Sequence, residues 1–386
     1  MTGSDPRPTV LLTLGRLPKA LDLARAFSSY GWRVLVAEPY RWHLCRVSRA
    51  VAKCFVVPPP ATAQVEYLEA LGRIVRQENV RLVVPVSEEI LHVAHLRPLL
   101  AAGVEVYGMP ADLLLRLHDK LEFPHFVQSL GLAAPETHDA ASPMALDLLG
   151  RSDCVVKPVR SCSGRGLSFL PAGSTLPAPA EPMVVQRRVD GAVLSTFSIA
   201  RDGEVVSSVV YRGTLMAGTV AVAFERVDGH AAIGAWISAF VAKTRYSGFV
   251  SFDFVVDADG TPWAIECNPR VTSGIHFLRH EDLAPAILGV PGFRRPRLRD
   301  VTRLQQFFPA LTETQGSFFT ERFAPNLRAL RTSRDVTWAT ADPLPLVTMP
   351  LTSLTIIVRA ARERRSLGEV ATSDIVWNNS ADSLPR

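Results

Sequence analysis

Outside its central turn, four charged or amide side chains interrupt the apolar stretch "SFDFVVDADGTPWAIECNPR", residues 251–270: Asp253, Glu266, Asn268 and Arg270. Alternate residues of a strand share a face, so Ser251, Asp253 and Val255 point one way and Phe252, Phe254 and Val256 the other. After the turn, Glu266 and Asn268 share one face, with Ile265 and Cys267 on the opposite one. Asp259-Gly260 is a two-residue hairpin signal, and folding the strands about it sets Asp253 directly across from Glu266. Opposed carboxylates with Cβ atoms only ~5 Å apart repel, so something positive should sit between them. Carboxylate and amide oxygens suit Mg²⁺, which takes few protein ligands because nucleotide phosphates complete its octahedron. A hairpin whose polar face is simply solvated accounts for the same pattern.

A metal held with a nucleotide also needs groups that grip phosphate, and "CVVKPVRSCSGRGLSFL" (154–170) offers them. It reads as a strand carrying Lys157, a Ser/Gly turn over 161–166, and a second strand. Small residues let backbone N–H groups approach phosphate oxygens, and the lysine adds a compact charge. Such a turn is more often only a turn, and it is neither a Walker A loop nor a dinucleotide fingerprint.

The elements that must position these groups follow from periodicity. From "TVLLTLG" to "VEVYGMP", Val/Leu runs alternate with amphipathic segments of helical period, which predicts βαβ units and a parallel sheet covered on both faces, ending near residue 110. Two short helical patterns flank "HDKLEFPHF", and "APETHDAASP" reads as a loop. Residues 153–270 read as short strands punctuated by Gly, Asp and Pro, with a helix over "AIGAWISAFVAKTRY", an α+β pattern with an antiparallel sheet. The last hundred residues give a mixed pattern. Three regions are therefore expected: 1–110, 111–290, and a C-terminal extension of uncertain fold, 291–386.

"DFVVDADGTPWAIECNPR" closely resembles the metal-binding segment of the ATP-grasp superfamily, an acidic residue on one strand and Glu-x-Asn-x-Arg on the next. The resemblance spans roughly residues 8–275 and implies a parallel-sheet pre-ATP-grasp domain followed by an ATP-grasp fold. By it, Asp253, Glu266 and Asn268 hold Mg²⁺, with Mn²⁺ also admissible, and Arg270 contacts the transferred phosphoryl group. Lys157, with Ser163, Gly164 and Gly166 of the turn, matches the phosphate loop, and Lys120 matches the earlier nucleotide lysine. "MVVQRRVDGAVLSTFSI" resembles the hinge that reads adenine, which places Gln186, Arg187 and Val189 at the nucleotide; many members of the superfamily carry Glu in place of Gln186. Arg212, read as following a strand, is a candidate for phosphate or substrate, against a solvated loop arginine.

Ligands of parallel sheets collect at the carboxyl ends of the strands, so "LGRLP" (14–18) and "VSEEI" (86–90) are candidate substrate contacts. Gly15 and Arg16 at a helix N-terminus can receive a carboxylate. Glu88 is a candidate contact as well, although acidic residues favour helix starts, which accounts for it or its neighbour Glu89. His276 and Arg279 either reach the acceptor or lie on a helix surface.

Composition narrows the classes. With 386 residues, 47% apolar and 20% charged, the chain has the make-up of a folded protein of more than one domain. The net charge of +5, from 42 basic and 37 acidic residues, is spread along the chain, which favours anionic small molecules over nucleic acid. Five cysteines without a CxxC pair, and an N-terminus without a secretory pattern, predict a reducing cytoplasm. "LPLVTMPLTSLTIIV" (344–358) holds two prolines and is too short for a span, so it is expected as a buried helix or strand, with pairing of two copies into a homodimer as one use. The expected function is a stand-alone ligase that activates a small carboxylate with Mg-ATP and joins it to an amine. Alternatives are phosphorylation of an enol or hydroxyl oxygen followed by amino-acid displacement, as in mycosporine-type assembly, and an ATP-binding protein without turnover.

Overall fold

The computed structural model describes residues 6–160, 166–176, 181–365 and 367–377. By backbone packing the chain divides into two units: the first holds residues 1–111, 213–226 and 270–386, the second 112–212 and 227–269.

The first unit opens with strands β1 (Thr9–Leu12), β2 (Arg33–Glu38), β3 (Lys53–Val56), β4 (Val80–Val84) and β5 (Glu105–Val106), all parallel in the order β3-β2-β1-β4-β5. The helices between them are α1 (Pro18–Ser29), α2 (Gln64–Gln77) and the short α3 (Ile90–Val93). Every residue of β1 is buried, which is why its sequence runs apolar rather than alternating. Pro18 opens α1, where its fixed φ suits the first turn and its missing N–H costs nothing. Tyr67, Leu71, Ile74 and Val75 of α2 pack on Leu11, Leu35 and Val83, the apolar stripe facing the sheet. Strand order reverses between β1 and β4, the position at which such sheets gather ligands.

The second unit begins with helices α4 (Ala111–His118) and α5 (Glu122–Ser129), then β6 (Thr137–Asp139), α6 (Pro143–Arg151), β7 (Cys154–Pro158), β8 (Ser168–Leu170) and β9 (Met183–Arg187). These strands form an antiparallel sheet in the order β6-β9-β7-β8. The stretch read as a loop before α6 thus contains β6, which is recruited by pairing with β9 rather than by its own composition. Ser142 caps α6 by accepting from the Ala145 N–H. The strands that follow, β10 (Ala192–Arg201) and β11 (Glu204–Ala217), are ten and fourteen residues long, not short as the punctuation suggested. After β12 (Val220–Arg226), which belongs to the first unit, come α7 (Ala231–Thr244), β13 (Gly248–Val256) and β14 (Pro262–Asn268). Within the second unit the antiparallel order is β14-β13-β10-β11.

Residues from 270 onward, of which the sequence left the last hundred unplaced, pack as part of the first unit. They comprise α8 (His280–Leu288), β15 (Arg303–Gln305), α9 (Phe307–Gly316), α10 (Phe323–Thr332), β16 (Arg334–Asp335), α11 (Leu344–Val347), α12 (Met349–Thr352), α13 (Leu354–Glu363) and α14 (Leu367–Thr372). β15 pairs antiparallel with β12 and parallel with β16. The apolar stretch 344–358 is helical but not buried as expected: Val347 is 65% and Leu351 71% exposed, because its two prolines break it into short helices that leave an apolar row outside. Among the described residues no helix is long and apolar enough to cross a membrane.

Candidate functional site: opposed carboxylates and two buried lysines

The hairpin of β13 and β14 sets Asp253 across from Glu266 and Ser251 across from Asn268. The route to that register differs from the two-residue turn. The strands stop at Val256 and Pro262, so the connection has five residues, tied by Asp257, whose carboxylate accepts from the Asp259 and Thr261 N–H groups at 3.0 and 2.9 Å. The longer turn shifts the pairing by one, and a bulge between the Phe254–Ala264 and Asp253–Glu266 pairs shifts it back, leaving Ile265 as the extra residue. The opposite face is fixed by aromatic packing: Phe252 lies 4.9 Å from Trp236 and 5.0 Å from Phe240 of α7, ring centre to ring centre, and Phe254 lies 5.1 Å from Trp236. With both phenylalanines fully buried there, Asp253 between them is turned to the other side.

Asp253 accepts from Ser195 Oγ at 2.6 Å and from Asn268 Nδ2 at 3.1 Å. Positive charge is supplied by Lys120, which is buried in the turn between α4 and α5, not exposed on a helix, with Nζ 3.4 Å from Glu266 Oε1. Lys157 in β7 is buried too, and its Nζ donates to Gln186 Oε1 and to the Ile265 carbonyl, each at 3.0 Å. The bulge therefore presents a backbone acceptor to a lysine 108 positions upstream. Gln186 Nε2 in turn donates to Thr137 Oγ1 at 2.9 Å, a row that crosses β6, β9 and β7. Burial pushes the Lys157 ammonium down to about 8; Glu266 and Asp253 oppose this and Lys120 adds to it.

The remaining nucleotide candidates are placed as follows. The Arg187 guanidinium lies over the Trp263 ring at 4.9 Å, and Val189 is half-buried between β9 and β10. Gly166 has a φ of 72°, and a Cβ there would meet Pro158 at 2.9 Å, so only glycine fits. Ser163 and Gly164 lie outside the described residues. Arg212 is not in a loop after a strand: it is an exposed residue inside β11.

Among the described residues no group of three or more His, Cys, Asp or Glu side chains is placed to hold a metal. Two opposed carboxylates with an amide nonetheless fit Mg²⁺ or Mn²⁺, because a nucleotide-bound ion needs only one or two carboxylates from the protein.

The residues proposed for substrate lie in the first unit and are mostly committed to internal partners. The Gly15 and Arg16 N–H groups do receive a carboxylate, but it is that of Glu38, at 2.9 and 3.1 Å. The Arg16 guanidinium is clamped by Glu38 at 2.7 Å and by both oxygens of Asp374 at 2.7 Å. Burial opposes its charge, and these two carboxylates outweigh that and raise it above the ordinary arginine value. A side chain at Gly15 would strike His43 at 2.5 Å. His276 is not on a helix surface: it is buried, stacked on Phe224, and bonded through Nδ1 to Asp22, which also takes His280 Nε2 at 2.7 Å. Arg279 pairs with Asp300 at 3.0 Å. Glu89 serves its own loop, accepting from Thr13 and from the Val86 and Ser87 N–H groups.

Glu88 is different, because its carboxylate takes Arg270 Nε at 2.8 Å. Beside this pair lies a residue that the sequence reading passed over. Lys19 of α1 donates to Ser87 Oγ at 3.1 Å and to the Val271 carbonyl at 2.7 Å. Burial, with the neighbouring Arg270 charge, holds its ammonium well below the ordinary lysine value. In the sequence it is only a polar residue in the first turn of a helix; the structure buries that helix through Phe27.

Residues 117–274 match the ATP-grasp domain family. No curated protein matches the sequence. The fold is similar to that of an L-amino acid ligase from Bacillus licheniformis, at 16% identity and a TM-score of 0.57 over 78% of this chain and 79% of that one. An ADP-complexed N5-carboxyaminoimidazole synthetase from Staphylococcus aureus gives 12% and 0.60, over 76% and 80% of the two chains. The biotin carboxylase domain of Hydrogenobacter thermophilus 2-oxoglutarate carboxylase, a dimer with MgADP and bicarbonate, gives 12% and 0.56 over 69% of this chain; the chain spans 65% of that domain's length. The opposed carboxylates, the two lysines that face them and the family match together identify residues 117–274 as an ATP-grasp domain.

Proposed function

We propose that the chain is an ATP-dependent ligase that activates a small-molecule carboxylate as an acyl phosphate and joins it to an amine, releasing ADP and phosphate. The observation that carries this reading is the convergence of two buried ammonium groups, Lys120 and Lys157, on the opposed pair Asp253 and Glu266. A module that only binds a nucleotide has no need of this full set of charges.

In this reading residues 111–290 act as the nucleotide and metal domain. Lys120 and Lys157 hold the phosphates, Gln186 and Val189 line the base, and Asp253, Glu266 and Asn268 hold Mg²⁺ or Mn²⁺. The metal, when bound, neutralises charge on the phosphates during transfer. Arg270 supplies a planar donor to the phosphoryl group as it leaves ADP, where added charge lowers the barrier. The carboxylate oxygen attacks the γ-phosphorus, the amine then attacks the acyl carbon, and phosphate leaves with the displaced oxygen. The solved ligase and synthetase that share the fold support this class of reaction over the alternatives. A reducing cytoplasm belongs to the same reading, in keeping with Cys45, Cys54, Cys154 and Cys267 forming no disulfide among the described residues.

The test is ADP and phosphate release from Mg-ATP by the purified protein, against pools of amino acids and small carboxylic or enolic acids, with Glu266→Gln as the blank. Release that requires one acid and one amine, with a product mass equal to their sum less water, is expected. ¹⁸O from a labelled acid should appear in the phosphate; its absence would sink the carboxylate route in favour of an enol.

A further inference from the structure

We infer that Lys19 is a positioning residue that fixes the guanidinium of Arg270, an assignment that rests on the ligase reading for its functional meaning but not for its geometry. Two neighbouring residues of one loop hold two neighbouring residues of another segment. Glu88 takes Arg270 Nε at 2.8 Å, while Lys19 links Ser87 Oγ, at 3.1 Å, to the carbonyl of Val271, at 2.7 Å. That same carbonyl is 3.4 Å from Arg270 Nη1. The guanidinium plane is therefore defined by a carboxylate on Nε and a carbonyl beside Nη1, and Lys19 holds the carbonyl in place.

The arrangement is costly unless it serves a purpose. Lys19 is buried on α1, where an apolar residue would be expected, and the two acceptors of its hydrogen bonds are neutral. A buried ammonium without a directly bonded carboxylate does not repay its own desolvation. The charges of Glu88 and Glu89 offset part of this cost, although the hydrogen bonds of Glu89 go to Thr13, Val86 and Ser87. The cluster sits beyond the carboxyl ends of β1 and β4, where strand order reverses. Lys19 is bonded both to the β4 loop and to the backbone that carries Arg270.

The first experiment needs no substrate. In the full chain labelled with ¹⁵N-arginine, the Arg270 Nε–H signal, identified by its loss in Arg270→Lys, should be protected from solvent exchange in the wild type. It should exchange at least about tenfold faster in Lys19→Met, the loss expected when a charge-assisted hydrogen bond is loosened. Ser87→Ala should move it in the same direction and Ser87→Thr, which keeps a hydroxyl, should restore it; this pair carries the test if Lys19→Met fails to fold. Unchanged protection in these variants, or free exchange already in the wild type, overturns the assignment.

The second experiment uses Mg-ATP with the pools of acids and amines. Lys19→Met should lower kcat by about 10- to 100-fold at unchanged KM for ATP, as a small misplacement of a catalytic group does. In the Arg270→Lys background it should cost nothing more, because it acts through Arg270; independent, multiplying losses overturn it. Wild-type turnover by Arg270→Lys would instead remove the ligase role of Arg270 and leave the exchange result standing.

Discussion

Lys157 Nζ donates at 3.0 Å to the carbonyl of Ile265, the one residue that β14 holds in excess over β13. The bulge thus has two consequences. It returns Glu266 to the face of Asp253 after the five-residue turn, and it turns a backbone acceptor toward a buried lysine. Removing the lysine leaves Gln186 Oε1 and the Ile265 carbonyl short of a donor, which costs about 1–3 kcal/mol. Lys157→Met is therefore expected to remain folded with a melting temperature lowered by a few degrees, and to lose ADP release from Mg-ATP. Turnover near the wild-type rate would remove Lys157 from the site.

The pairing of Glu266 with Lys120 makes a different prediction about metal. Without ligand, Glu266→Gln loses the ion pair between a half-buried carboxylate and the buried Lys120 but relieves the repulsion from Asp253, so the two effects oppose each other and stability should change by only about 1 kcal/mol. With Mg-ATP the wild type should gain stability by mass action, about 2.7 kcal/mol at a hundredfold excess over Kd. Thermal melts with and without Mg-ATP read both; an equal gain in the variant would show that Glu266 takes no part in binding.

Arg16 serves stability where the sequence suggested substrate. It is buried between Glu38 and Asp374, so Arg16→Ala strands two carboxylates and should cost about 3–5 kcal/mol. A shifted urea midpoint checks this. A variant as stable as the wild type, with a raised KM for the acid, would restore Arg16 to the substrate site.

Acid should destabilise the first unit through its buried imidazoles. Burial lowers the His92 pKa to about 4, with His95 adding to the shift, against the Val376 carbonyl and Glu88, which raise it. His43 and His95 are lowered by burial as well. Between the folded value and the unfolded ~6.5 the unfolded chain binds more protons, so stability is full above ~6.5 and falls toward pH 4, by up to about 3 kcal/mol for His92. The Asp22 carboxyl is depressed: burial works the other way, and His276 and His280 outweigh it. Its contribution holds above the unfolded value and is lost only below ~3.9. Urea midpoints from pH 8 to 4.5 should fall, and less steeply in His92→Leu; a flat profile would contradict the burial of these rings.

What the sequence determined by itself is whatever depends on near neighbours. The two-residue period of β13 and β14 put Asp253, Glu266 and Asn268 on one face, and the alternation of apolar runs with helical patterns gave the parallel sheet. Even the turn length could be misjudged without harm, because bulge and turn errors cancelled. Tertiary structure decided which charges meet. Arg16 and Asp374 are 358 positions apart, Asp22 and His276 254, and Lys19 and the Val271 carbonyl 252. Such pairs are set by how a parallel sheet and the returning C-terminal segment pack, and no local periodicity encodes them. The same reason hid Lys19: on paper it is a polar residue opening a helix, and only the fold buries it against the backbone that carries Arg270.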